Sequence, residues 1–375
     1  MLTSPNATTS SAMTKRLYVV STSDRIVFKR CRRRWDFQSR NRQSLTPIEG
    51  VVAAPLWQGS GHHFALEDFH GYNVFGHPVK AFEAYIESHR RSELPDDYRE
   101  VADLEIGMLN YYADDWLVAH PDPLKTLWID DVPQVEVNVL VPLGIQPPPG
   151  FDEVVYSVTY DRVGIDEHGR LVIVDYKTAA KAYEAGRLEL DPQVSSYIWS
   201  GRLVYGDSLE GAQWVIFLKA VPDEPLILKS GELSQNKNQY TTYRIYKKAL
   251  LEYYGEIPNS YKEFLNHLAA QEDETGDRYV KRDTIYRNEV FAENEERKIF
   301  AEIHDMIDPN LSLYPNPTRD CSWDCQFRAP CLSMDDGSDY SYMLESEYER
   351  WEGEGYKSNE WRKRLKYPEP LEVVV

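Results

Sequence analysis

This chain of 375 residues contains no apolar run approaching the roughly 18 positions that a membrane-spanning helix needs. Its opening, MLTSPNATTSSAMTKR, has no apolar core of the secretory type, so a cytoplasmic protein is the expectation. No G-x-x-x-x-G-K-[ST] occurs, which leaves any nucleotide-driven motion to a partner. Cysteine is scarce, four in all, too few for a disulfide-built scaffold. Positive charge is in deficit: 42 Lys and Arg face 61 Asp and Glu, for a net charge of -19. That excludes a generally basic surface but leaves room for a local basic groove. No internal repeat is visible.

What is present is globular in character, 42 % hydrophobic and 27 % charged, with an aromatic share of 13 %. The length suits one large domain or two ordinary ones. Residues 1–17 are rich in Ser, Thr and Asn and are expected to be disordered. Residues 21–42 read as a helical segment that Ser21 or Ser23 would cap. Eight basic residues fall between Arg25 and Arg42, against Asp24 and Asp36. Helices are expected over 57–71, 79–92 and 97–119, then strands over 126–142, 153–165 and 171–176, the last two joined by a turn at Glu167-His168-Gly169. A helix over 192–204 starts at Asp191 and Pro192, and a strand follows over 214–220. The region 240–306 has helical period, 308–333 is a loop rich in Pro and Cys, and 334–375 reads as an acidic, peripheral tail.

One constellation carries chemistry. Asp161 lies on one expected strand, and Asp175-Tyr176-Lys177 lies on the next. Residues two apart on a strand share a side, so Asp175 and Lys177 face one pocket, and a hairpin brings Asp161 beside them. Two converging carboxylates are hard oxygen ligands suited to Mg²⁺ or Mn²⁺. A neighbouring lysine orients water or stabilises charge on a phosphate. On its own D-x-K is also what an ordinary surface hairpin carries. Three further features bear on it: Gly59-x-x-x-His63-x-x-x-Glu67, whose His63 and Glu67 share a helix face; Gln193-x-x-x-Tyr197 on the helix after the D-x-K strand; and Cys31 with Cys321, Cys325 and Cys331, spaced C-x3-C-x5-C like soft-metal ligands.

Taken in order, S-x-S-x-R-I-x-x-F-x-x-C (21–31), G-x-x-x-H (59–63), Asp161, D-Y-K-T (175–178), Q-x-x-x-Y (193–197) and C-x3-C-x5-C (321–331) resemble the RecB-type branch of the PD-(D/E)xK nuclease superfamily. The likeness is to its iron–sulfur members, the AddB-type nuclease domains, CRISPR-associated exonucleases and phage-encoded relatives. It implies an α/β fold: a restriction-endonuclease-like core with a mixed sheet flanked by helices, over 18–333 with helical insertions. It implies His63, Asp161, Asp175 and the Tyr176 carbonyl as metal ligands, Lys177 as the catalytic lysine, and Gln193 and Tyr197 as support for the site or for DNA. Cys31, Cys321, Cys325 and Cys331 would hold one [4Fe–4S] cluster, tying the two ends of the domain together. Two departures stand out. Val158 occupies a position where the family often has glycine, and C-x3-C replaces the commoner C-x2-C, which leaves a Cys₄ Zn²⁺ site as an alternative.

The function so implied is a metal-dependent deoxyribonuclease, an exonuclease of recombination, repair or phage replication. It would act on single strands or duplex ends, with a helicase or recombinase supplied in trans. The alternatives are an inactive DNA-binding accessory protein of the same fold and a zinc-stapled interaction protein. Lys29, Arg30, Arg32, Arg33 and Arg34 are expected either to line a channel for the DNA strand, with Trp35 and Phe37 stacking on bases, or to form a solvated helix face with its aromatics in the core.

Overall fold

The computed structural model describes residues 15–48, 53–181, 187–351 and 360–375. Strand β1 (Leu17–Ser21) leads into helices α1 (Thr22–Arg30), α2 (Arg32–Gln38), α3 (Ala54–His70), α4 (Pro78–Ser88) and α5 (Tyr98–Asn110). Strands β2 (Val135–Pro142), β3 (Glu153–Ile165) and β4 (Leu171–Ala179) follow, then helix α6 (Pro192–Tyr205) and strands β5 (Leu209–Leu218) and β6 (Val280–Tyr286). Helices α7 (Glu289–Ile307), α8 (Arg328–Asp336) and α9 (Glu360–Leu365) and strand β7 (Glu372–Val374) complete the frame.

The central sheet has eight strands in the order β6-β5-β4-β3-β2-β7, and β1 and Lys125–Thr126 also pair with β3. It is mixed: β4 is parallel to β5, β1 to β3 and β7 to β2, while β2, β3 and β4 run antiparallel in sequence. Both faces are covered. Leu171 and Ile173 of β4 enter a core with Phe28 of α1, Ile198 of α6 and Ile299 of α7. Val172, Val174 and Tyr176 enter a second core with Phe64 of α3, Phe82 of α4 and Leu109 of α5. Burial on both faces is why the LVIVDY run of β4 is apolar without alternation.

The feature that makes a site is a gap in this sheet. One edge of β3 is shared by two strands: β1 pairs along Glu153 to Ser157, and β4 along Arg162 to Ile165. Between those stretches the edge has no ladder partner. On the opposite edge the β2 register is constant, with Val135 opposite Arg162 and Val137 opposite Tyr160. The ladder is interrupted between those two pairs, where Glu136 takes a left-handed φ of 46°. A non-glycine residue held there stores strain of order 1–3 kcal/mol, which the surrounding strands must hold in place.

Several expected elements are altered by packing. The helix expected over 21–42 breaks at Cys31, whose backbone is extended and which caps α2. Ser21 caps α1 with Asp24 in a reciprocal capping box. Arg25, on the buried side of α1, is bound by Glu295 and Glu302 of α7 at 2.9 and 2.6 Å. Trp35 is fully buried and Phe37 nearly so. Stacking on bases is therefore closed to both; they are core, and Trp35→Ala would cost about 3–5 kcal/mol.

The 240–306 region contains, besides helices, the edge strand β6, paired antiparallel to β5 through Val280 to Tyr286. Its one buried side leaves a polar sequence that does not announce a strand. The disordered start expected over 1–17 lies outside the described residues as far as position 14, and Leu17 already belongs to β1.

The tail is not peripheral over its described end. Strand β7 extends the sheet beside β2, and Trp361 and Tyr367 join the second core. Arg362 forms a two-pronged ion pair with Glu67 of α3, at 2.9 and 2.5 Å. No helix among the described residues is long and apolar enough to cross a membrane.

Candidate active site

Helix α3 supplies the first group. Its orientation is fixed from behind: the fully buried His62 binds Glu105 through Nδ1 at 2.6 Å, and Gln58 donates to the same carboxylate at 2.8 Å. One residue on, about 100° around the helix, His63 points to the gap in the sheet. Its Nδ1 lies 3.3 Å from Asp161 Oδ1 and 3.8 Å from Glu136 Oε1. These three residues are the one set of three His, Cys, Asp or Glu side chains, among the described residues, with ligand atoms all within 4.8 Å of one another.

Asp161 is held by the gap itself. The Tyr176 N–H of β4 donates to Asp161 Oδ2 at 2.7 Å. That leaves Oδ1 facing His63. The Tyr176 ring is buried on the far face and stacks on His70, so its contribution to the site is backbone only.

Asp175 and Lys177 come from the other face of β4. Lys177 Nζ lies 2.9 Å from Asp175 Oδ1 and 2.7 Å from Oδ2, and donates to Gln193 Oε1 at 3.0 Å. Gln193 Nε2 donates to Tyr197 Oη at 2.7 Å, and the Tyr197 hydroxyl donates to Asp175 Oδ1 at 2.8 Å. The loop of four side chains closes because Gln193 and Tyr197 are one turn apart on α6, which Asp191 starts by accepting the Gln193 N–H. The lysine side chain remains 36 % exposed, so its ammonium is fixed in direction yet open to a ligand.

The sequence-derived residues therefore form two adjoining groups. His63 and Asp161 stand together on the α3 side, and Asp175, Lys177, Gln193 and Tyr197 on the α6 side. Asp175 is turned to Lys177 and Tyr197 and does not belong to the His63 trio. Glu67 of the helical motif is one layer back, committed to Arg362. Glu136 is the residue that sequence reasoning missed. Its strand, VEVNVLVP, shows it as one polar position in an alternating pattern, and only the register places it opposite Asp161.

The electrostatics follow from crowding carboxylates out of water. Burial raises Glu136 to about 8, with Asp161 and Glu67 adding to the shift. Burial likewise raises Asp175 to about 6, against the pull of Lys177. Burial opposes charge on His63, but Asp161 and Glu136 outweigh it and raise the imidazole to about 9. Asp161 is held below the ordinary carboxylate range because His63 and Lys177 overcome its burial. Such a nest of acids with one imidazole has the donor chemistry of a hard divalent cation.

The cysteines occupy a second place. Cys31, Cys321, Cys325 and Cys331 all line one cavity of about 120 Å³ beside α2 and α8, and all are free thiols, half-buried. They ring the cavity without closing on a point, since no three of their sulfurs lie within 4.8 Å of one another. The basic run is spent on holding this segment. Arg30 binds Asp324 at 2.6 Å, Arg34 binds the same carboxylate at 3.0 Å, and Arg33 binds Asp335 at 2.9 Å and reaches Cys331 Sγ at 3.3 Å. These arginines are thus paired within the protein, not aligned along an open strand channel.

Comparison with curated proteins finds no match. A family model, the PD-(D/E)XK nuclease superfamily, matches residues 19–332, a span that takes in the sheet apart from the first two residues of β1 and strand β7, both halves of the site and all four cysteines. With its mixed sheet, flanking helices and D-x-K strand, this chain belongs to the PD-(D/E)XK nuclease superfamily.

Proposed function

We propose that the protein is a divalent-metal-dependent deoxyribonuclease that works from DNA ends, in recombination, repair or phage replication. The observation that carries this is the meeting of His63, Glu136 and Asp161 at the sheet gap, with Lys177 fixed on the next strand. Mg²⁺ or Mn²⁺ would be held by His63, Asp161 and Glu136, with the Tyr176 carbonyl offered from β4; Asp175 would join them by releasing a contact to Lys177 or Tyr197. When bound, the ion supplies Lewis acidity at the phosphate.

The remaining work belongs to the chain. Lys177 orients the attacking water and neutralises charge that develops on the phosphate oxygens. Asp175 keeps the lysine charged, since its pull outweighs burial and holds the ammonium above its ordinary range. Gln193 and Tyr197 fix both groups in place, so little reorganisation is needed as charge develops. For the cysteines we propose a [4Fe–4S] cluster with a structural role. A Cys₄ Zn²⁺ site has Zn–S bonds of about 2.3 Å, which requires sulfurs roughly 3.8 Å apart.

The test is cleavage of end-labelled single- and double-stranded DNA with Mg²⁺ or Mn²⁺, comparing wild type with Lys177→Ala. Cleavage by wild type and a loss of roughly a hundred-fold or more in the variant is the expected result. Wild-type protein that holds its metal and binds DNA without cutting it would replace this reading with an accessory DNA-binding role.

A further inference from the structure

A cleft of about 680 Å³ lies beside the sheet gap, and its floor is sheet. Leu17, Val19 and Ser21 of β1 and Ser157 of β3 line it. Their neighbours Tyr18, Val20, Tyr156 and Val158 point the opposite way into the first core. By the same alternation Ser157, Thr159 and Asp161 share one face of β3, and Thr159 is exposed. The cleft and Asp161 therefore sit on one continuous floor. The separation from Ser157 to Asp161 is about 13 Å at roughly 3.3 Å per residue.

The walls are positive. Arg16, Arg40, Arg42 and Arg350 line the cleft, from the lead-in to β1, the turn after α2 and the 348–350 strand. Arg42 is taken by Asp36 at 2.6 Å. Arg16, Arg40 and Arg350 have no carboxylate within ion-pair distance among the described residues, and all three are exposed. Arg40 lies over the Trp351 ring at 4.0 Å, and Arg16 lies over Phe151 at 5.1 Å. Each guanidinium is thus braced on one side while its donors stay open. The cleft's one acid, Asp24, is engaged by the Ser21 N–H and hydroxyl. In a chain of net charge -19, Arg16, Arg40 and Arg350 converge on a concave floor that carries one opposing acid, Asp24, which faces Arg40; the balance is a local positive well for a polyanion.

We infer that this cleft holds the phosphate backbone of one DNA strand on its way to Asp161, with Arg16, Arg40 and Arg350 each meeting a phosphate. The inference rests on the nuclease reading for its direction, because the floor leads to the proposed cleavage centre. At about 3.4 Å per stacked nucleotide, 13 Å is some four nucleotides, fewer for an extended strand. The volume is in the range of a small-ligand pocket, roughly 300–1,000 Å³. That admits one strand and not a duplex. Guanidinium groups suit the task because their fixed donor fork matches phosphate oxygens. The strand path is thereby moved away from Arg30, Arg33 and Arg34, which the protein uses internally.

The test measures binding of a fluorescent single-stranded oligonucleotide by anisotropy in EDTA, over a series of KCl concentrations. Wild type is compared with the triple variant Arg16→Gln, Arg40→Gln, Arg350→Gln, its melting curve checked alongside. Three lost phosphate contacts should lower the slope of log affinity against log salt by about 2, and weaken binding by at least roughly ten-fold at moderate salt. An unchanged slope in a variant that melts like wild type would overturn the cleft, even if wild type cleaves DNA. An arginine-dependent slope in a protein that does not cleave would uphold the cleft and sink the nuclease chemistry. An equal loss on blunt duplex DNA would overturn the assignment to a single strand.

Discussion

The acid centre and the thiol cavity are built in opposite ways. At the acid centre, three side chains are set by the scaffold. His63 is aimed by His62 and Glu105 behind it, Asp161 by the Tyr176 N–H, and Lys177 by Gln193. At the thiol cavity the walls are ion pairs between half-exposed groups, Arg30 and Arg34 with Asp324, and the sulfurs face an open space. A site grafted on strands and core helices keeps its geometry on its own; one closed by surface ion pairs, each worth about 0–1 kcal/mol, relies on what fills it. On the proposed reading, the difference separates a site for chemistry from one that a bound metal group would close.

The comparison can be broken most strongly at Cys325. Cys325→Ser is expected to lose most of the bound iron and to lower the melting temperature by roughly ten degrees or more, because binding free energy at such a site is folding free energy. Normal iron content and an unshifted melt, by metal analysis and calorimetry, would mean that the cavity is an ordinary pocket. A smaller effect is expected at the other site. Glu136→Gln should cut cleavage about 10–100-fold, the range seen when a group that supports or holds a metal is altered. Its melting curve should stay close to that of wild type, since relief of acid crowding offsets the lost contact with His63. Steady-state cleavage equal to wild type would remove Glu136 from the site.

The smallest effect is one of pH on metal-free protein. His63, Glu136 and Asp175 all have folded-state values above their ordinary ones, near 9, 8 and 6. A raised folded value means that the folded chain holds its proton longer than the unfolded one. The stability so gained is full below the ordinary value and is lost as pH rises through the raised one. Asp161, held low, acts with the opposite sign, but only at acidic pH. In EDTA the melting temperature should therefore fall as pH is taken from about 6 to about 9, and added Mn²⁺ should restore it most at the alkaline end. A flat profile in EDTA would show that the acids are not crowded as the structure places them.

Much of this was readable from residue order alone. The strands carrying Asp161 and Asp175, the α6 cap at Asp191 and the shared face of Gln193 and Tyr197 follow from local rules of period and capping. The superfamily follows from the order of its motifs. What could not be read depends on tertiary pairing. Glu136 becomes a site residue only through strand register, and Glu67 and Arg362 meet across nearly the whole chain. The arginines after Arg25 look alike in sequence; that Arg30 and Arg34 are neutralised is decided by Asp324, some 290 positions away. Trp35 and Phe37 likewise lie in a basic segment, and only packing shows them buried.

The most direct test of the central claim is calorimetric titration of metal-free protein with Mn²⁺, comparing wild type with Asp161→Asn. Saturable binding by wild type, lost or weakened at least roughly ten-fold in the variant while its melting curve is kept, is the result this account predicts. Equal binding by both proteins would contradict it and place the cation, and with it the chemistry, somewhere other than the gap between β3 and β4.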